Sequence, residues 1–422
     1  ATAYLVFDDH RRGNWETYLF RTADYGASWE RLPTRGVEGF AHDLEEDPVE
    51  PNLLFLGTEF GLYVSLDRGR SWTLWTSNGL PPAPVRESRV HPRDGDLVVG
   101  THGRGAWIVD DIRPLRELAS DPSLAAAAIH AFRPPPAYLH EVAEAIGYRS
   151  TGHAMWQGAT RPYGALVSYW VGGPLAEDGV DGEAVRITVL DAAGARVRTL
   201  EGPAGPGIGR VVWNLRAGPD AEGDVPAGAE VLPGTYSVSV SLAGRESTAT
   251  VEVSGDPRRE VTMAERRARA RALAVLERWS GTLDEARDRI REARSATDEV
   301  LSMLSSSDQD ASLRQRGVAL RDTLEAVDGR LFSGPGCQGI CGGEPVASRV
   351  GAPRRRIAST PGAPTPLERL MMDQAHAALA EVVDEVNRVL RDHVAPWARA
   401  VRSSGVAPFP STTPIALPGG GP

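Results

Sequence analysis

Two short turns in this chain carry side chains able to do chemistry. In Gly57-Thr58-Glu59-Phe60-Gly61, Glu59 offers a carboxylate that can serve as a general acid or base, next to the aromatic face of Phe60. In Gly100-Thr101-His102-Gly103-Arg104-Gly105, His102, the Arg104 guanidinium fork and N–H groups left open by glycine suit an anion. A plainer assignment stands beside each. Glu59 is then a solvated turn residue, and the second turn uses its glycines for shape while Arg104 pairs with Asp110 or Asp111. Cys337-Gln338-Gly339-Ile340-Cys341 lacks the histidines or second cysteine pair of a zinc site and is not the C-x-x-C redox form. It leaves a local disulfide or two free thiols. Arg354-Arg355-Arg356 reads as a solvated segment before it reads as a contact for an anionic surface. No phosphate-cradling loop with lysine, Gly-x-Ser-x-Gly elbow or His-Glu-x-x-His pair occurs, so no residue is assigned a catalytic, cofactor or metal role.

The elements that must position these turns come from a repeat. Thr22-Ala23-Asp24-Tyr25-Gly26-Ala27-Ser28-Trp29 returns as Ser65-Leu66-Asp67-Arg68-Gly69-Arg70-Ser71-Trp72, and the Glu59 turn returns as the His102 turn, at one common spacing near 40–45 residues. Short β runs at that period are the sequence form of four-stranded propeller blades. Within each repeat the aspartate accepts backbone N–H groups in a tight turn, glycine supplies φ > 0, and tryptophan packs between sheets.

The pattern (Ser/Thr)-x-Asp-x-Gly-x-x-Trp, on Thr22, Asp24, Gly26, Trp29 and on Ser65, Asp67, Gly69, Trp72, is the Asp-box or BNR repeat. With the run from Asp47 to Gly61 and the run from Gly100 to Asp111, residues 1–117 resemble the last blades of bacterial sortilin-like, BNR-containing propeller proteins, which are often labelled glycosyl hydrolases. The resemblance implies an exported protein, periplasmic or extracellular. It places Glu59, Phe60, His102 and Arg104 at the ligand-facing mouth and the Asp-box aspartates on the opposite face. About two and a half blades are legible, so the expected partners are upstream blades of the same protein and a protein or glycan ligand at the mouth. The resemblance also raises a rival, a glycoside hydrolase whose catalytic carboxylates lie mostly in those upstream blades, and a structural assembly module is a third reading.

The expected fold class is multidomain, mainly β plus α. A Pro-rich connector over 118–162, with Pro134-Pro135-Pro136, follows the blades. Residues 163–255 hold six or seven short strands of an Ig-like β-sandwich packed around Trp213 and Tyr236, similar to the Ig-like domain of the flagellar hook cap family. From Asp256 the period turns helical: Leu276, Trp279, Leu283, Ala286, Ile290 and Ala293 alternate spacings of three and four. Residues 256–404 read as an antiparallel three-helix bundle interrupted by a mobile Gly/Pro-rich loop over 333–364, and 405–422 as an extended Pro-rich tail. Charge sets further bounds. Forty-six basic and 56 acidic residues give a net −10, the wrong sign for a nonspecific nucleic-acid footprint, and no apolar run approaches a bilayer span.

Overall fold

The computed structural model describes residues 1–76, 79–140, 160–173, 183–222, 227–304, 308–332 and 344–403. Cys337, Cys341 and the tail 405–422 lie outside them. The chain is mixed β and α and divides into two compact units, residues 1–223 with 233–257, and residues 224–232 with 258–422.

The first unit begins with three small antiparallel sheets. The first holds β1 (Ala3–Asp9), β2 (Asn14–Thr22) and β3 (Glu30–Arg31) in that order. The second holds β4 (Ala41–Glu46), β5 (Leu54–Thr58), β6 (Gly61–Ser65) and β7 (Thr73–Leu74) in that order. The third holds β8 (Val85–Val90), β9 (Leu97–Thr101) and β10 (Ala106–Val109), with β9 in the middle. The sheets stack through their faces. Tyr4, Val6 and Leu19 of the first pack with Leu56 and Tyr63 of the second, whereas Phe55, Leu62 and Val64 of the second pack with Val85, Leu97 and Val99 of the third. A strand covered on both faces needs an unbroken apolar run, and Leu53-Leu54-Phe55-Leu56 is completely buried. Gly57 allows the stack to close, because a Cβ there would stand 2.6 Å from the carbonyl oxygen of Val85.

The repeated turns are built from the same hydrogen bonds. Asp24 Oδ1 accepts from Thr22 Oγ1 and from the N–H of Ser28, and its Oδ2 accepts from Ser28 Oγ at 2.6 Å. Asp67 does the same with Ser65 and Ser71. The hydroxyls of Thr22 and Ser65 in turn accept the N–H of Gly26 and Gly69.

Beyond the third sheet, α1 (Arg113–Ser120) carries Arg116, whose guanidinium grips the buried Asp47 carboxylate in two parallel bonds at 3.0 and 2.8 Å. Two further sheets follow: β11 (Ile129–Ala131), β13 (Ala165–Val171) and β16 (Gly207–Trp213) form one. The other is β12 (Ala137–Leu139), β18 (Arg245–Gly255), β17 (Gly234–Leu242), β14 (Val185–Leu190) and β15 (Arg196–Gly202), with β12 parallel to β18. Trp213 is fully buried and meets Tyr236 edge-on at 5.2 Å. The stretches 1–117 and 118–162 and all of 163–255 except residues 224–232 therefore share one unit. The connector supplies strands β11 and β12 to the later sheets, and Arg210 donates to the carbonyls of Asp110 and Asp111 at 2.6 and 2.8 Å.

The second unit is helical: α2 (Met263–Met303), α3 (Asp308–Leu331), α4 (Val346–Ala358), α5 (Pro366–Val389) and α6 (Ala395–Ser403). Thr262 with Glu265 and Thr365 with Glu368 form capping boxes that start α2 and α5. Leu276, Trp279, Leu379, Val386 and Trp397 lie in its core. Two features depart from a three-helix bundle with a mobile 333–364 loop. Residues 346–358 are helical, because Val346, Val350, Pro353 and Ile357 recur at three and four residues and are buried, a pattern masked by Gly351, Pro353 and three arginines. The helix after α5 also widens into a π turn over Leu390–Val394 just ahead of Pro396, which has no N–H to continue an α ladder.

Two predictions follow from the turns and the α1 clamp. The Ser28 and Thr22 hydrogen bonds hold Asp24 at a pKa of about 2, below its ordinary 3.8. A carboxylate depressed on folding contributes stability above its unfolded pKa and loses it as the pH falls through the folded one. Thermal unfolding should therefore weaken from about pH 4 down to about pH 2, and Asp24→Asn should flatten that slope. Arg116→Ala leaves Asp47 charged, buried and without its ion-pair partner, so denaturant titration should show a loss of about 3–5 kcal/mol.

Candidate functional site

The connections between strands fall at two ends of the stack. The Asp24 and Asp67 turns lie at one end, where the N–H of Arg68 meets the carbonyl of Asn52. The β1–β2, β5–β6 and β9–β10 turns lie at the other, and Phe40 joins the first two: its ring stacks on His10 at 4.4 Å and meets Trp15 at 5.6 Å and His42 at 4.8 Å, and its carbonyl accepts the N–H of Glu59. Gly39 adopts φ +78°, and a Cβ there would stand 2.8 Å from the ring of Phe60, so glycine lets the Phe60 ring lie across this loop.

His42 is at the centre, its side chain only 6% exposed. Arg86 Nη1 lies 3.1 Å from His42 Nδ1, and Glu59 Oε2 lies 2.8 Å from His42 Nε2. A guanidinium only donates, so Nδ1 must accept; the ring proton then sits on Nε2 and is donated to Glu59. Both ring nitrogens are thereby engaged in hydrogen bonds, Nδ1 through its lone pair and Nε2 through its proton. Its effect is to aim the Glu59 carboxylate, whose Oε1 has no hydrogen-bond partner among the described residues. Trp15, which meets the Phe40 ring, and Phe60, next to Glu59 in the chain, are both exposed. At the rim, the Asp8 carboxyl is drawn below its ordinary pKa: its slight burial opposes the shift, but hydrogen bonds from the His10 N–H and ring prevail.

Deeper along the stack, β4 and β8 run side by side without a ladder between them. Asp43 Oδ2 accepts the N–H and the hydroxyl of buried Ser88, both at 2.7 Å, and Glu45 Oε1 accepts the N–H of Val90. Arg89 Nη1 lies 3.5 Å from Asp43 and 3.3 Å from Glu45. Burial pushes the Glu45 carboxyl up, against the Val90 N–H and Arg89. The Asp43 and Glu45 carboxylates thus fall within the ~10 Å span of a two-carboxylate glycosidase. Arg89, however, fills the space between them that a sugar would need.

Of the residues singled out from sequence, Glu59 and Phe60 enter this cluster. His102 and Arg104 stand in the neighbouring turn, both exposed, with the His102 N–H bonded to the carbonyl of Pro84. The pairing of Arg104 with Asp110 or Asp111 does not form. Strand β10 separates them, and Asp111 is taken by Arg113 at 2.6 Å. Thr22, Asp24, Gly26 and Trp29, and Ser65, Asp67, Gly69 and Trp72, lie at the far end. His10, Trp15, Phe40, His42 and Arg86 belong to no motif; the fold alone brings His42 to Arg86 across 44 residues. No group of three metal-ligating side chains occurs among the described residues. A cavity of about 560 Å³ lies away from the cluster, lined by Leu66, Trp75, Leu115, Leu118, Trp170 and Ile208; its one carboxylate is the Asp111 already paired with Arg113.

Asp43→Ala should leave the Ser88 N–H and hydroxyl buried without an acceptor and cost about 1–3 kcal/mol in denaturant titration, with Asp43→Asn recovering part of it.

Among the described residues no helix is long and apolar enough to cross a membrane. No family model matches this sequence, and no curated protein matches it. Among solved structures, the extracellular domain of a one-component system from B. thetaiotaomicron aligns at 10% identity with a TM-score of 0.18, covering 56% of this chain and 28% of its own. The chain thus spans under a third of the length of that structure.

Proposed function

We propose that residues 1–117 are blades of an exported, sortilin-like Asp-box β-propeller whose turn end binds a protein or glycan ligand, with an Ig-like sandwich and a helical bundle as accessory modules. One observation carries this reading: exposed Phe60 follows a Glu59 carboxylate that His42 and Arg86 hold in place, and exposed Trp15 meets the Phe40 ring, which packs on His42. Flat rings offer apolar area at low entropic cost, and an oriented carboxylate gives directional acceptance of hydroxyl or amide donors. That combination suits recognition. It lacks a proton shuttle, because His42 is occupied on both nitrogens.

The glycoside hydrolase reading has one specific observation in its favour, the closeness of Asp43 and Glu45. Both carboxylates are committed to Arg89 and to the backbone of β8, which makes them structural in this account. The two readings separate in a single pair of assays. The chain is titrated against an immobilised glycan panel and incubated with 4-methylumbelliferyl glycosides. The binding reading expects saturable capture, weakened at least about tenfold, or 1.4 kcal/mol, by Trp15→Ala or Phe60→Ala, with no fluorophore release. Release that disappears in Glu45→Gln would establish hydrolysis instead, and capture unchanged by both aromatic substitutions would remove the turn end as the site.

A further inference from the structure

The first unit holds a second concave surface, marked by no motif in the sequence and unused by the turn-end cluster. Three elements wall it. The second sheet, around β7, supplies Leu66, Leu74 and Trp75; α1 supplies Leu118; and Trp170 of β13 and Ile208 of β16 supply the third wall. The cavity they enclose measures about 560 Å³, inside the roughly 300–1,000 Å³ range of small-molecule sites. Such a cavity opposes stability, because apolar walls that could pack on each other stand apart. Leu74 on one wall and Ile208 on another each stay 42% exposed as a result.

The polar groups of the lining set the charge of what fits. Arg210 donates to the Ser168 hydroxyl and to the carbonyls of Asp110 and Asp111, and the Asp111 carboxylate is held by Arg113. Both charged side chains of the lining are thus committed within the fold. An ionic ligand would leave water for walls that give its charge no partner. A polypeptide segment would meet the same penalty with its peptide groups against leucines and indoles. A neutral ring system meets neither, and ring-to-indole contacts add about 0.5–1.5 kcal/mol beyond the area they bury. The exposed Thr73 and Thr76 side chains also belong to the lining, and their hydroxyls suit one uncharged polar substituent. We propose that this cavity is a binding site for a neutral aromatic small molecule, held by the Trp75 and Trp170 walls. The site stands on the cavity and its lining alone and is independent of any ligand at the turn end.

The test is fluorescence titration with phenylnaphthylamine, a neutral aromatic probe that brightens in apolar surroundings, with hydrogen exchange read in parallel. The wild-type chain should bind it saturably, and should bind anilinonaphthalene sulfonate, which has the same rings and a fixed negative charge, at least about tenfold more weakly. Amides of residues 73–76 and 207–210 should gain protection when phenylnaphthylamine is bound. Thr73→Trp and Ile208→Trp fill the cavity from two different walls, so that one variant failing to fold leaves the other to decide, and each should weaken phenylnaphthylamine at least about tenfold. Val49→Trp, on a side chain exposed at 65% and outside the lining, should leave binding unchanged. Absence of saturable binding overturns the proposal, as does binding that survives both cavity-filling substitutions. Equal affinity for the sulfonate overturns the assignment to a neutral ligand.

Discussion

The contact on which the turn-end cluster depends is the Asp43 carboxylate against Ser88. Strands β4 and β8 begin successive sheets and share no ladder, so the N–H groups along the facing edge of β8 need acceptors from elsewhere. Asp43 supplies one to Ser88 and Glu45 supplies one to Val90. Side chains of one strand thus stand in for the backbone carbonyls of a neighbour, and Arg89 neutralises the charge this concentrates. Fixing Ser88 beside Asp43 fixes the residues one step toward the turn end, which is how Arg86 comes to face His42. The order of causes runs from a buried hydroxyl to a carboxylate, to a strand register, to an oriented Glu59.

The repeat makes the scaffold, and the cluster sits where the repeat breaks. Thr22, Asp24 and Ser28 are matched bond for bond by Ser65, Asp67 and Ser71, and the positive φ of Tyr25 and Gly26 by that of Arg68 and Gly69. One period beyond Phe40, His42, Glu59 and Phe60, by contrast, stand Ala83, Val85, His102 and Gly103. The turns that hold the sheets recur because every sheet needs them. The side chains at the opposite end differ because the turns that hold the sheets do not need them, and that freedom is where recognition chemistry can be placed.

Much of this was legible in advance. Strand positions from Leu54 to Val64, the tight turns at Asp24 and Asp67, the strands around Trp213 and the capped helix at Thr365 all follow from local periodicity and turn chemistry. Glu59 and Phe60 were legible because they sit in a repeated glycine-flanked turn. His42 and Arg86 were not, because each is the unpaired residue at a register shift, between Ala41 and Asp43 in β4 and between Val85 and Glu87 in β8, and their meeting depends on how two sheets stack. Helix α4 was hidden for a different reason: Gly351 and Pro353 argue against a helix locally, and only the burial of Val346, Val350 and Ile357 against the other helices overrides them. The connector strands β11 and β12 are three residues each, too short for any alternation to show, and they exist because later strands offer them a partner.

The central claim, that His42 is a fixed strut holding Glu59 and takes no proton from a ligand, is tested most directly by long-range proton–nitrogen NMR of the histidine rings at neutral pH, with His42→Gln assigning the resonance. The account predicts a neutral imidazole carrying its proton on Nε2, with Nδ1 accepting from Arg86, and a change in that signal on Arg86→Met. A ring protonated on Nδ1, or on both nitrogens, would contradict the arrangement and return His42 to the set of acid–base candidates.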